Sequence, residues 1–182
     1  ARDDETEIED RLTDAASRCD AILTSGGVSM GDFDFVKAVL DKIAEMTWMQ
    51  VAIRPAKPFA FGTVGIVPVF GLPGNPVSSM VSYEVLARPG LRRMAGVAEP
   101  ELRRAAVPGV AGDRWLGAKD GRTSFVRVKA QFEPDGRLHA KAASGQASHQ
   151  LKAMSWSNAL AIVEAGAEVS PGDTVGLLLL TP

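Results

Sequence analysis

Two glycine-rich turns, each set between a short apolar run and an amphipathic stretch, constrain this chain more than any other feature. The first lies in Ile22-Leu23-Thr24-Ser25-Gly26-Gly27-Val28-Ser29-Met30-Gly31-Asp32-Phe33-Asp34 and the second in Val69-Phe70-Gly71-Leu72-Pro73-Gly74-Asn75-Pro76-Val77-Ser78-Ser79. The apolar runs read as buried strands and the segments that follow as helices, so each turn aims backbone N–H groups at a ligand from a helix N-terminus. Paired turns of this kind suit a phosphate-bearing ligand. Alternation of strand, turn and helix predicts a three-layer α/β/α sheet, with ligands at the carboxyl ends of its strands.

Helical apolar spacing marks residues 5–18 and 34–45, and a further helix is expected from Val77 to about Arg88, kinked or ended by Pro89. Strands are expected at 20–24, 46–53, 58–63 and 66–71. After Gly96-Val97-Ala98-Glu99-Pro100 the pattern changes to period two, with strands at 123–132, 138–142, 159–163 and 174–180. The expected organisation is an α/β domain over residues 1–98 and a small all-β barrel or sandwich over 99–182. The chain opens at Ala1 on a helix with no strand before it, which reads as a fragment whose α/β domain lacks its beginning.

A net charge of −2 gives no global attraction to nucleic acid or anionic lipid, so an anion site must come from local cations and amides. The single Cys19 forms no internal disulfide, no Cys/His cluster has zinc spacing, and neither a signal peptide nor an apolar run of membrane-spanning length is present. The expectation is a soluble, cytoplasmic protein that acts on a small molecule, with no nucleic-acid or membrane partner.

Three segments in order, Ser25 to Asp34, Arg54-Pro55-Ala56-Lys57-Pro58-Phe59 and Gly71 to Ser78, make the chain resemble the molybdopterin molybdenumtransferase family, meaning bacterial MoeA and the gephyrin E region. The tail matches as well, with Gly121-Arg122 before an Arg-containing strand and Gln146-Ala147-Ser148 before a Met-rich turn. The resemblance implies most of the family's third, MogA-like molybdopterin-binding domain and all of its fourth, β domain. It also implies the chemistry: insertion of molybdate into adenylylated molybdopterin with release of AMP, dependent on Mg²⁺, in a full-length homodimer. By position in the motifs, Arg54, Lys57, Pro58, Arg122 and Ser148 resemble the molybdate-binding set. Gly26, Gly27, Ser29, Gly74, Asn75, Pro76 and Ser78 resemble the pterin and phosphate contacts, Asp34 the metal ligand, and Asp34, Lys57 and Ser148 the catalytic residues. Three cations and a hydroxyl suit a tetrahedral oxyanion.

Each of these residues also has a plainer reading. Asp34 stands where an N-cap is common, and capping and metal binding are compatible. Glycine pairs serve tight turns, Ser29 and Ser78 serve as helix caps, and Lys57 reads without the family as a solvated lysine held between two stiffening prolines. His139 and His149 have no triad partners, and Met154 and Trp156 read as core or interface filling.

Three departures from the family pattern stand out. Arg54 takes the place of a usual lysine, Ser144-Gly145-Gln146 replaces a glycine-first loop, and the acidic Thr-Gly-Asp-Glu-like motif would lie before Ala1. Two other readings stay open: a gephyrin-like scaffold without turnover, and a nucleotide pyrophosphatase of the CinA-like type, which the β tail disfavours.

Overall fold

The computed structural model describes residues 4–28, 35–143, 146 and 151–180. The chain divides into two compact units, one formed by Ala1–Val51 and Ala56–Ala87, the other by Ala52–Pro55 and Arg88–Pro182.

In the first unit, helix α1 (Glu5–Arg18) starts where the Asp4 carboxylate accepts a hydrogen bond from the Glu7 N–H at 3.0 Å, with Glu5 and Glu7 in the first turn and Arg18 in the last. That is the charge order a helix dipole favours. Ile8 and Leu12 form its buried stripe. Strand β1 (Ile22–Ser25), helix α2 (Phe35–Ile43), strands β2 (Glu45–Gln50), β4 (Pro58–Val64) and β5 (Val67–Leu72), and helix α3 (Pro76–Ser82) complete the regular part of the unit. The sheet order is β1-β5-β4-β2. Strands β1 and β5 are parallel, whereas β4 is antiparallel to both β5 and β2. Val39 and Leu40 of α2 join Ile8, Leu12, Ile22 and Val69 in one core.

Two expectations need correction. The single strand expected at 46–53 is two, because Ile53–Arg54, strand β3, leaves this sheet and pairs in parallel with Thr123–Ser124. Helical structure also does not end at Pro89: α3 is followed by a π-helical turn at Tyr83–Ala87 and by α4 (Arg88–Met94). A wider turn just before a proline is a common way to absorb the missing N–H donor.

In the second unit, β6 (Ala106–Ala111), β8 (Thr123–Phe132), β9 (Leu138–Ala142), β10 (Ala159–Val163) and β12 (Thr174–Leu179) form a sheet in the order β10-β12-β6-β9-β8, and pairing of β10 with β8 closes it into a five-stranded barrel. A short pair, β7 (Trp115–Leu116) with β11 (Glu168–Val169), and helix α5 (Leu151–Trp156) sit outside this ring of strands. The core alternates along the strands: Val128 and Ala130, Ala159, Ala161 and Val163, and Val175 and Leu177 are all buried. Three of these seven are alanines, small side chains that suit the interior of a narrow barrel. Met154 is buried as expected, but Trp156 is half exposed.

Strand β6 was not legible in the sequence because Pro108 and Gly109 interrupt it. The register shows why both are tolerated. The Ala111 N–H bonds Asp173 O and the Leu179 N–H bonds Ala105 O, so the odd-numbered residues of β6 carry the ladder to β12. Pro108 falls at an even position, where no N–H is needed. A Cβ on Gly109 would lie 2.3 Å from Leu177 Cδ1, so only glycine fits there without repacking.

Candidate functional site

The parallel pairing of β1 with β5 puts the two glycine turns side by side. Ser25 and Leu72 are register partners at the ends of their strands, and the Gly26 N–H donates to Leu72 O at 2.9 Å. Gly26 and Gly27 have φ of 104° and 79°, in the region that favours glycine. A Cβ on Gly74 would stand 3.4 Å from Gly26 Cα, and the Ser25 and Ser79 hydroxyl oxygens are 3.5 Å apart. Asn75 is the N-cap of α3, and Pro76 takes the first helical position, where a missing N–H is harmless. Gly74 and Pro76 are exposed, whereas Gly27 and Ser78 are buried. The structure therefore brings Gly26, Gly27, Gly74, Asn75, Pro76 and Ser78 into one region of the first unit. Ser29 and Asp34 lie outside the described residues.

Lys57 is exposed in the first unit, and its carbonyl accepts from the Val51 N–H at 2.7 Å, which ties the two ends of the 51–57 segment together. Pro58, the first residue of β4, pairs with Gln50. Just before Lys57 the Arg54–Pro55 peptide is cis, and the buried Ala56 has φ of 80°, unusual for a residue with a side chain. The positive φ of Ala56 is a strained conformation for a residue with a side chain, and strain of that sort clusters at functional sites.

In the second unit, Arg54 lies on β3 and Arg122 just before β8, the strand with which β3 pairs: Thr123 N–H donates to Ala52 O at 2.9 Å, and Arg54 is the register partner of Ser124, two residues beyond Arg122. Arg122 is held by a residue the sequence reading missed. Its Nε and Nη2 donate to Asp120 Oδ2 at 2.9 and 2.6 Å. This hydrogen bond raises the Arg122 pKa and lowers that of Asp120. The sequence signal was the Asp120-Gly121 turn, in which Gly121 has φ of 82°.

Gln146 was likewise missed as an anchor. Its side chain accepts from the Arg127 N–H at 3.0 Å and donates to Arg127 O and Ala143 O, both at 2.9 Å. The chain is thus fixed to β8 two residues before Ser148, which itself lies outside the described residues. Arg127 is fully buried, and burial lowers its pKa. His139 is paired with Asp135 at 2.8 Å, while His149 lies outside the described residues. Among the described residues no group of three or more His, Cys, Asp or Glu could hold a metal ion. No helix there is long and apolar enough to cross a membrane.

Comparison with known proteins puts a family to this geometry. Residues 1–93 match the model of a probable molybdopterin binding domain, and residues 109–180 match the MoeA C-terminal region, domain IV. The chain belongs to the molybdopterin molybdenumtransferase family, which comprises MoeA and the gephyrin E region. It is 34% identical to the molybdopterin molybdenumtransferase of Haemophilus influenzae, over 95% of this chain and 43% of that protein. It is 30% identical to molybdopterin molybdenumtransferase 1 of Mycobacterium tuberculosis, over 97% of this chain and 42% of that protein. Identity to gephyrin of Dictyostelium discoideum is 29%, over 96% of this chain and 27% of that protein. The chain thus spans less than half the length of these curated relatives. Two structures of the molybdopterin biosynthesis MoeA protein from Pyrococcus horikoshii share the fold. Their TM-scores are 0.77 and 0.71 at 24% and 22% identity, and they cover 100% and 97% of this chain but 42% and 39% of their own.

Proposed function

We propose that this chain is part of a molybdenum cofactor biosynthesis enzyme that inserts molybdate into adenylylated molybdopterin and releases AMP. The observation that carries the reading is the juxtaposition of the two glycine turns, in a chain whose first 93 residues match a molybdopterin-binding family. In this reading residues 1–98 are a partial molybdopterin-binding domain whose sheet carries helices on both faces in the whole protein, and residues 99–182 are the C-terminal β domain. Gly26, Gly27, Ser29, Gly74, Asn75, Pro76 and Ser78 hold the pterin and its phosphates through backbone and hydroxyl donors. A turn without side chains lets a planar ring and a phosphate approach the main chain closely.

Molybdate, the second substrate, is a dianion, and Arg54, Lys57 and Arg122 supply cations to it, with the Pro58 backbone and the Ser148 hydroxyl as further contacts. Asp120 orients the Arg122 fork, which lowers the cost of ordering that side chain when the oxyanion arrives. Lys57 acts as a point charge on a backbone fixed by the Ala56 conformation. Asp34 is the proposed Mg²⁺ ligand. The described residues of the proposed site supply anion capture and orientation. A cytoplasmic homodimer is the proposed working form of the whole protein.

The test is molybdate-dependent AMP release by the whole protein. Lys57→Ala is expected to lower it by at least about tenfold, the effect of losing on the order of 1.4 kcal/mol from a charge-assisted contact. Wild-type AMP release by Lys57→Ala would sink the assignment.

A further inference from the structure

The barrel does not close at every level. Strand β9 covers β6 only opposite Val110 and Ala111, because β9 begins at Leu138 while β6 reaches back to Ala106. Below that level lies an open mouth of about 660 Å³, lined by Val107, Pro108, Phe132, Leu138 and Leu179, with Arg137 at its rim. The volume falls within the range of about 300–1,000 Å³ usual for small-molecule sites.

The free edge of β6 disfavours a strand as the occupant. Its outward positions beyond the cover of β9 are Ala106 and Pro108, and Pro108 has no N–H to give an added strand. Two other polar side chains of the mouth are already engaged. The Asn158 amide exchanges two hydrogen bonds with the Ala130 backbone, at 2.7 and 2.9 Å, and Gln131 donates to Glu133. The Arg137 guanidinium is different. Asp135 accepts from the Arg137 backbone N–H at 3.0 Å and pairs its other oxygen with His139; the Arg137 guanidinium feels that carboxylate as a nearby charge, with no direct hydrogen bond or ion pair to it. One cation over a mouth whose remaining polar side chains are the neutral Gln131, Asn158 and Thr174 matches one monoanionic head on an apolar body. A phosphate dianion would require more donors than the rim offers.

We propose that the barrel mouth binds a small amphipathic carboxylate, its apolar body among Val107, Leu138 and Leu179 and its carboxylate on Arg137. This site is made wholly of residues of the second unit and does not depend on the molybdopterin reading. The experiment is an amide NMR titration of the 182-residue chain with octanoate, and with 1-octanol as the uncharged match. Saturable octanoate shifts are expected at Val107, Gly109 and Leu138. Arg137→Glu, an exposed change, should weaken octanoate at least tenfold and leave octanol unchanged, while Val107→Phe should abolish both by filling the mouth. Absence of saturable shifts at these amides would overturn the proposal, as would octanoate affinity indifferent to Arg137→Glu. So would ligand-free, concentration-dependent broadening confined to these amides, which would assign the mouth to a second copy of the chain.

Discussion

Gly26 and Gly74 approach each other across the two turns, yet alanine should be received very differently at the two positions. At Gly26 φ is 104°, where any side chain is strained whatever the space around it. Such strain costs on the order of 1–3 kcal/mol. Gly74 lies outside that region, and an added Cβ would meet only Gly26 Cα at 3.4 Å and Gly26 N at 3.9 Å, ordinary contact distances. There alanine restricts the unfolded chain and should stabilise by about 0.4–1 kcal/mol. The two variants, Gly26→Ala and Gly74→Ala, should therefore differ by about 1.5–4 kcal/mol, or roughly 3–16 °C in melting temperature for a chain of this size. Scanning calorimetry of both variants beside the wild type measures the gap. Equal melting temperatures, or a larger loss at Gly74, would refute the assignment of strain to the first turn. The same pair separates stability from binding: Gly74→Ala that melts normally but no longer takes up adenylylated molybdopterin would support a ligand at the exposed second turn.

Further predictions concern the cations and the barrel. Asp120 is held below the usual carboxylate range by its hydrogen bond to Arg122, so its contribution to stability is present above the unfolded value of about 3.9 and is lost as pH falls through the lower folded value. An NMR titration should return Asp120 to the ordinary range in Arg122→Gln, and an unchanged midpoint would contradict the pairing. Leu177, fully buried in the barrel, should cost about 2–5 kcal/mol as Leu177→Ala, read by urea unfolding. Gly109→Ala should cost about 1–3 kcal/mol by crowding Leu177, and should cost less in a Leu177→Ala background. Additive losses in that double mutant would show that Leu138 O, 3.0 Å from the added methyl, sets the cost instead.

Legibility followed the range of the interaction. Helix α1 could be read from Asp4, the Ile8–Leu12 stripe and Arg18, since caps and periodicity act within a few residues. The two glycine turns were readable for the same reason, and their family resemblance was carried by short contiguous motifs. Asp120 could have been found from its Asp-Gly turn beside Arg122. Gln146, read only as part of the short motif that leads to Ser148, could not be recognised as an anchor, because its partner is the Arg127 backbone on a distant strand.

By itself the sequence determined the helix boundaries near Asp4, the change from 3.6-residue to two-residue periodicity, and the glycines that a left-handed turn demands. Tertiary structure alone decided that Ile53–Arg54 leaves one sheet for another, that β6 accommodates Pro108 and Gly109, and that the mouth of the barrel stays open. The physical reason is that strand pairing is a long-range choice. A backbone N–H can be dispensed with only where the partner strand does not call for it, and a side chain only where a neighbour such as Leu177 already fills the space.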